Sequence, residues 1–135
     1  MFYDKNATSG QSKDDLLRLA DLVRVGLAGT LKDFSFVDRT GTLKKASAID
    51  YAGMPAGYSA DPFETINYVE AHDNQTLFDI NAYKLPQSTP IAERLRVQNL
   101  GTALMTLAQG VPFYHAGQEI LRSKSLERDS YNSGD

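Results

Sequence analysis

Two groups of side chains have the types and spacing to do chemistry. Glu70, His72, Asp73 and Asn74 stand almost side by side, and His115, Gln118 and Glu119 form a second group. Carboxylates beside imidazoles can move protons, hold developing positive charge or ligate a metal. Each residue also has a plainer reading. Asp73 could cap a helix that begins near Thr76. His72 could be a buried histidine with satisfied hydrogen bonds, and His115 a packed one. A metal site on His72, Asp73 and His115 stays open, although their spacing does not demand it. Other chemistries find less support. There is no Gly-rich phosphate loop, no G-x-S-x-G turn and no serine in triad context, and the chain has no cysteine.

The elements that must position these groups can be read from local pattern. Ser12 with Asp15 has capping-box spacing, and an apolar stripe follows at Leu16, Leu19, Ala20, Val23 and Leu27. This predicts a first helix that Gly26 and Gly29 end. Phe34 and Phe36 before Arg39-Thr40-Gly41-Thr42 predict a short hairpin. Residues 51–58 read as loop. Thr65-Ile66-Asn67-Tyr68-Val69 has buried-strand composition, and the strand stops at Glu70-Ala71-His72-Asp73-Asn74. Thr76 with Asp79 predicts a short helix ending before Pro86. Thr89-Pro90 opens a long helix with an apolar face of Val97, Leu100, Leu104, Leu107 and Ala108, closed by Gly110. A second strand, Val111 to His115, comes immediately after it. Strand, helix, strand with a crossover of this length implies a βαβ unit and a parallel sheet. Both polar groups then lie just past the carboxyl ends of strands, the edge where parallel α/β sheets and barrels bind ligands.

Composition narrows the function classes. The 135 residues are 41% hydrophobic and 23% charged, with six Phe and seven Tyr, which is globular rather than disordered. The formal net charge is −3, against the basic excess that nucleic acid requires. No apolar run reaches the roughly 18 residues of a membrane span. Lys44-Lys45 and the stretch Arg122–Arg128 read as solvated charge. The length allows one domain. Residues 1–11 are polar and read as loose. Ser130–Asp135 is turn chemistry that anticipates a further element, so the sequence reads as a piece of a larger protein.

Several stretches are recognisable together. Asn67-Tyr68-Val69-Glu70-Ala71-His72-Asp73-Asn74-Gln75-Thr76-Leu77-Phe78-Asp79 resembles the segment around the third catalytic carboxylate of pullulanases and limit dextrinases in the α-amylase superfamily. Gly110-Val111-Pro112-Phe113-Tyr114-His115-Ala116-Gly117-Gln118-Glu119 resembles that family's eighth-strand motif. Arg122-Ser123-Lys124-Ser125 and Arg128–Asp135 resemble the segment after that motif in the pullulanase branch, and Asp21–Gly29 and Ile49-Asp50-Tyr51 upstream resemble the same branch.

The resemblance implies the α/β class and the C-terminal part of a (β/α)8 TIM barrel, with strands seven and eight at residues 65–71 and 111–115. A whole barrel takes roughly 250 residues, so residues 1–135 would be a partial glycoside hydrolase catalytic domain. It implies retaining hydrolysis of α-1,6 branch linkages in pullulan, starch or glycogen-type glucans. The nucleophilic aspartate and the acid glutamate would lie upstream, outside this chain, with the rest of the barrel. Asp73 would stabilise the transition state, and His72 and Asn132 would bind the sugar. Gln118 stands where relatives often carry an acid and is assigned no role. No cofactor or metal is implied, and the partner is the α-glucan itself. Two alternatives remain: an α-1,4-acting amylase-type enzyme, and a catalytically incomplete carbohydrate-binding fragment.

Overall fold

The structure is a computed structural model that describes residues 12–133; the stretch 1–11 expected to be loose, and Gly134 and Asp135, lie outside the described residues. The elements in chain order are α1 (Lys13–Leu27), β1 (Ser35–Val37), β2 (Leu43–Lys45), β3 (Asp50–Tyr51), β4 (Met54–Pro55), β5 (Ile66–Asn67), α2 (Leu77–Lys84), α3 (Ile91–Leu107) and β6 (Val111–Pro112). The described residues fall into two compact units, one of residues 12–67 and 106–112, the other of residues 68–105 and 113–133.

The first unit begins with the expected capping box. The Asp15 amide donates to Ser12 Oγ at 3.1 Å, and the Ser12 amide returns to Asp15 Oδ2 at 3.0 Å. The helix runs through Gly26 and stops at Leu27, with Gly29 left-handed at φ 69°, so Gly29 alone of the two expected glycines marks its end. Its covered face is Asp21, Leu22 and Val25, whereas Leu16, Leu19 and Val23 of the expected stripe are exposed. Ala20 and Leu27 of the stripe are half-buried, and the β1–β2 hairpin packs against Leu22 and Val25 instead. Val25, Ala46 and Ile49 form the core there, with Leu22, Phe34, Phe36 and Ala56 packed around them.

The hairpin is antiparallel, pairing Ser35 with Lys45 and Val37 with Leu43. Its turn is built on Asp38, which accepts from the Thr40 amide and hydroxyl and from the Thr42 amide. Lys44, expected in solvent, closes on the same carboxylate at 2.7 Å, and Lys45 pairs with Asp33 at 2.7 Å. The segment expected as loop contains a second hairpin, β3–β4, turning through Ala52 and Gly53 at φ 53° and 86°. Two consecutive positive φ values give the twist that joins strands through two residues.

β5 and β6 pair in parallel, Ile66 with Val111 and Asn67 with Pro112. The parallel arrangement is as expected, but each of these strands is two residues long and pairs with one neighbour; among the described residues the strands form three separate two-stranded sheets, and no barrel closes. Gly110 is held at φ 119° where a Cβ would stand 2.7 Å from Asn67 Nδ2 and 2.8 Å from Thr65 Oγ1. The expected apolar face of α3 is open: Leu100, Leu104 and Leu107 are exposed, while Gln98 and Met105 are buried.

The first unit offers two tests of stability. Lys44 and then Thr40 hold the Asp38 carboxyl well below the ordinary value of 3.8. A depressed folded value means that its contribution is complete above 3.8 and is lost as pH falls below it, because the unfolded chain takes the proton first. The stability difference between the parent and Asp38→Asn should therefore shrink between about pH 5 and pH 2.5 in urea unfolding. Among the glycines, a Cβ at Gly57 would meet Ala46 Cβ at 2.5 Å and its carbonyl carbon at 2.8 Å, whereas Gly26 has open space. Gly57→Ala should cost about 1–3 kcal/mol through overpacking. Gly26→Ala, inside α1, should stabilise by about 0.8–1 kcal/mol by helix propensity. Urea midpoints that move in the same direction for both would contradict this reading.

Candidate functional site

The site lies in the second unit, where the chain from Tyr68 to Thr76 leads into α2. The start of that helix has two caps. Thr76 Oγ1 accepts from the Asp79 amide at 3.2 Å, and Glu70 Oε2 accepts from the Leu77 amide. The reading of Asp73 as the helix cap is therefore incorrect; Thr76 and Glu70 fill that role. Sequence pattern singled out Glu70 for chemistry but missed its capping role, because that contact is seven residues away rather than three.

Glu70 has no exposed side-chain surface, and its other oxygen lies 3.2 Å from His115 Nδ1. On the far side of that ring, Arg122 Nη1 lies 2.7 Å from Nε2. A guanidinium only donates, so Nε2 must accept and the ring proton must sit on Nδ1, facing Glu70. This gives a directed chain from Arg122 through His115 to Glu70. His115 is a packed residue with both nitrogens engaged, and the metal alternative on His72, Asp73 and His115 does not assemble. Among the described residues no group of three His, Asp or Glu side chains is placed to hold a metal ion.

A second buried carboxylate, Asp79, accepts from Ser123 Oγ at 2.6 Å and from the Lys124 amide at 2.7 Å. Lys124 Nζ then reaches back to the carbonyls of His72 at 2.9 Å and Asn74 at 2.8 Å. Arg128 Nε donates to Asn74 Oδ1 at 3.1 Å. The stretch Arg122–Arg128, expected as solvated charge, instead holds the loop that carries His72 and Asp73. Asn74 sits in the left-handed region at φ 58°, a conformation that asparagine tolerates better than most residues.

His72 and Asp73 are the open pair. Their side chains are 88% and 77% exposed, and His72 Nε2 stands 3.6 Å from Asp73 Oδ1, beyond hydrogen-bond length. Both line a cleft of about 470 Å³ with Tyr68, Glu70 and Ile80. Both also line one of about 520 Å³ with Arg122, Lys124, Arg128, Asp129 and Tyr131. Asn132 is exposed on the short turn Ser130–Asn132, next to Tyr131 but outside the lining of either cleft. Gln118 is buried, donating to Thr102 Oγ1 at 2.8 Å, while its Oε1 has no partner. The arrangement offers an unencumbered carboxylate and an imidazole at a cleft edge supplied with cations and hydroxyls. Such a set can bind polyhydroxylated ligands and stabilise positive charge.

No family model matches the chain. It is 51% identical over 130 residues to a pullulanase of Klebsiella pneumoniae, a match that covers 96% of this chain and 12% of that protein. It is 49% identical over 114 residues to the chloroplastic pullulanase 1 of Arabidopsis thaliana, covering 84% of this chain and again 12% of the relative. In backbone it matches the crystal structure of Klebsiella pneumoniae pullulanase complexed with maltotriose, with a TM-score of 0.92 and 48% identity. That match covers 99% of this chain and 13% of that one. A stretch spanning so small a share of its relatives still agrees with them in sequence and in trace, and over that stretch the chain is a homologue of pullulanases.

Proposed function

We propose that these residues are the last part of the (β/α)8 catalytic barrel of a debranching glycoside hydrolase, with β5 and β6 as its seventh and eighth strands. The parallel pairing of β5 with β6 supports this reading, as does the polar segment that follows each strand in the chain. The observation that carries it is the state of Asp73: among the carboxylates Glu70, Asp73 and Asp79, it alone is left in water beside a cleft.

The reaction is retaining hydrolysis of α-1,6-glucosidic branch points in pullulan, starch or glycogen-type glucans. It needs a nucleophile and an acid/base about 5 Å apart and passes through an oxocarbenium-like state. Those two groups lie outside this chain. Asp73 supplies neither bond formation nor proton transfer; its charge favours the positive charge growing at the anomeric carbon. In the described residues that charge is open to water and weak in effect. Once sugar and the remaining barrel displace the water, a unit charge about 4 Å away is worth about 4 kcal/mol at an effective dielectric near 20. His72 donates to a hydroxyl of the same sugar through a protonated ring nitrogen. Asn132 approaches the glucan from the loop after the eighth strand.

In the complete enzyme, Asp73→Asn keeps shape and removes charge. It should lower kcat on pullulan by about 10²–10³-fold and leave KM within several-fold. Activity within a few-fold of the parent would sink the assignment. Residues 1–135 expressed alone should release no reducing sugar from pullulan. The same piece should associate or unfold at low urea, because Ile66, Leu107 and Val111 at the parallel pair are exposed. A monomer with a sharp transition at high urea would overturn the claim that it is one part of a larger barrel.

A further inference from the structure

We infer that Lys124 is a positioning residue for Asp73, acting through the carbonyls of the residues on either side of it; the inference rests on the catalytic reading of Asp73. An ammonium has three donors and no acceptor. Here the donors go to the carbonyls of His72 at 2.9 Å, Asn74 at 2.8 Å and Arg128 at 3.4 Å. The first carbonyl belongs to the peptide that enters Asp73, and the second belongs to the peptide that leaves Asn74. Holding both restrains the backbone that carries Asp73, and with it the direction of the Cα–Cβ bond.

Asn74 shapes this clamp. Its left-handed backbone, φ 58°, a conformation open to asparagine, turns the chain immediately after Asp73. Lys124 holds its carbonyl, and Arg128 Nε holds its side-chain oxygen at 3.1 Å. Lys124 is itself aimed from a fixed base. Asp79, 1% exposed on α2, accepts the Lys124 amide at 2.7 Å and the neighbouring Ser123 hydroxyl at 2.6 Å. A guanidinium, with its planar fork, does not match carbonyls that converge on one point. Lys124 does not touch the Asp73 carboxylate, so its influence on the reaction is geometric.

The test uses the complete enzyme with Lys124→Met, Lys124→Gln, Asp73→Asn and the double variant Asp73→Asn/Lys124→Met. Lys124→Met should lower kcat on pullulan by about 10–100-fold, the scale of a misplaced catalytic group, with KM within about threefold and the thermal midpoint within a few degrees. Lys124→Gln, which restores one donor, should recover part of the loss. In the Asp73→Asn background the same Lys124 change should cost less than about twofold, since there is no charge left to aim. Should Lys124→Met not fold, Lys124→Gln takes its place in the comparison. The inference is overturned if Lys124→Met leaves kcat unchanged, raises KM alone, or costs equal factors in both backgrounds. It is overturned as well if neither Lys124 variant folds, for then the residue is a general strut. Asp73→Asn near parental kcat removes the catalytic assignment and this inference with it. A normal Asp73→Asn loss beside an indifferent Lys124→Met removes this inference alone.

Discussion

A carboxylate taken out of water must receive its donors from the chain, and the second unit is organised around two that do. Glu70 takes the first helical amide of α2 and the Nδ1 proton of His115; Asp79 takes the Ser123 hydroxyl and the Lys124 amide. The partners lie as far as 45 residues away in sequence. Each long-range bond therefore joins the segment before α2, or α2 itself, to the segment after β6. Loss of a single partner would leave a buried charge unpaired, which costs far more than the net worth of the bond. The loop at residues 72–74 inherits its geometry from this constraint.

Three acids of the same short stretch thus have three different tasks, and environment assigns them. Glu70 and Asp79 are spent on the fold, one at the amino end of α2, where negative charge is favourable, the other as an anchor for the Lys124 backbone. Asp73, between them, faces water. The cation that steadies its loop bonds to backbone carbonyls and leaves the carboxylate unengaged. The Asp73 side chain stays 77% exposed, with His72 Nε2 3.6 Å from Oδ1. Direct pairing with Lys124 would have offset its charge.

What could be read from sequence was local. Ser12 with Asp15, Thr76 with Asp79, and the turn after Asp38 are contacts within four residues, and all form. The parallel pairing of the two strands was also legible, from the spacing of strand, helix and strand. The Glu70 and Lys124 contacts were not, because pattern carries no signal for partners tens of residues distant. Lys124 looked solvated for that reason. Gly26 looked like a helix end because glycine statistics say nothing of whether the next turn is held by tertiary packing. The Ala52-Gly53 hairpin was missed because alanine seldom occupies a positive φ. His72 and Asp73 were singled out by their place after a strand, and family resemblance implied roles for them that geometry alone does not.

The distribution of burial bears on what the chain is for. Among the described residues, Val25, Ala46, Ile49 and Met105 are the buried hydrophobic side chains, while Asp21, Asp38, Glu70, Asp79, Gln98 and Gln118 are among the buried polar ones. Leu16, Leu19 and Val23 on α1, Leu100, Leu104 and Leu107 on α3, and Ile66 and Val111 in the parallel pair all face outward. Apolar burial is the main favourable term in folding, and a chain that arrays its large aliphatic side chains outward forgoes much of it. Hydrogen bonds to buried carboxylates specify local geometry but add modest net stability. Faces of this kind fit elements whose packing partners come from further polypeptide. In a barrel, the outer helices cover the strands and the strands cover one another, so the same side chains would become interior. The clamp around Asp73 is different in kind: it is complete within the described residues and owes nothing to that cover.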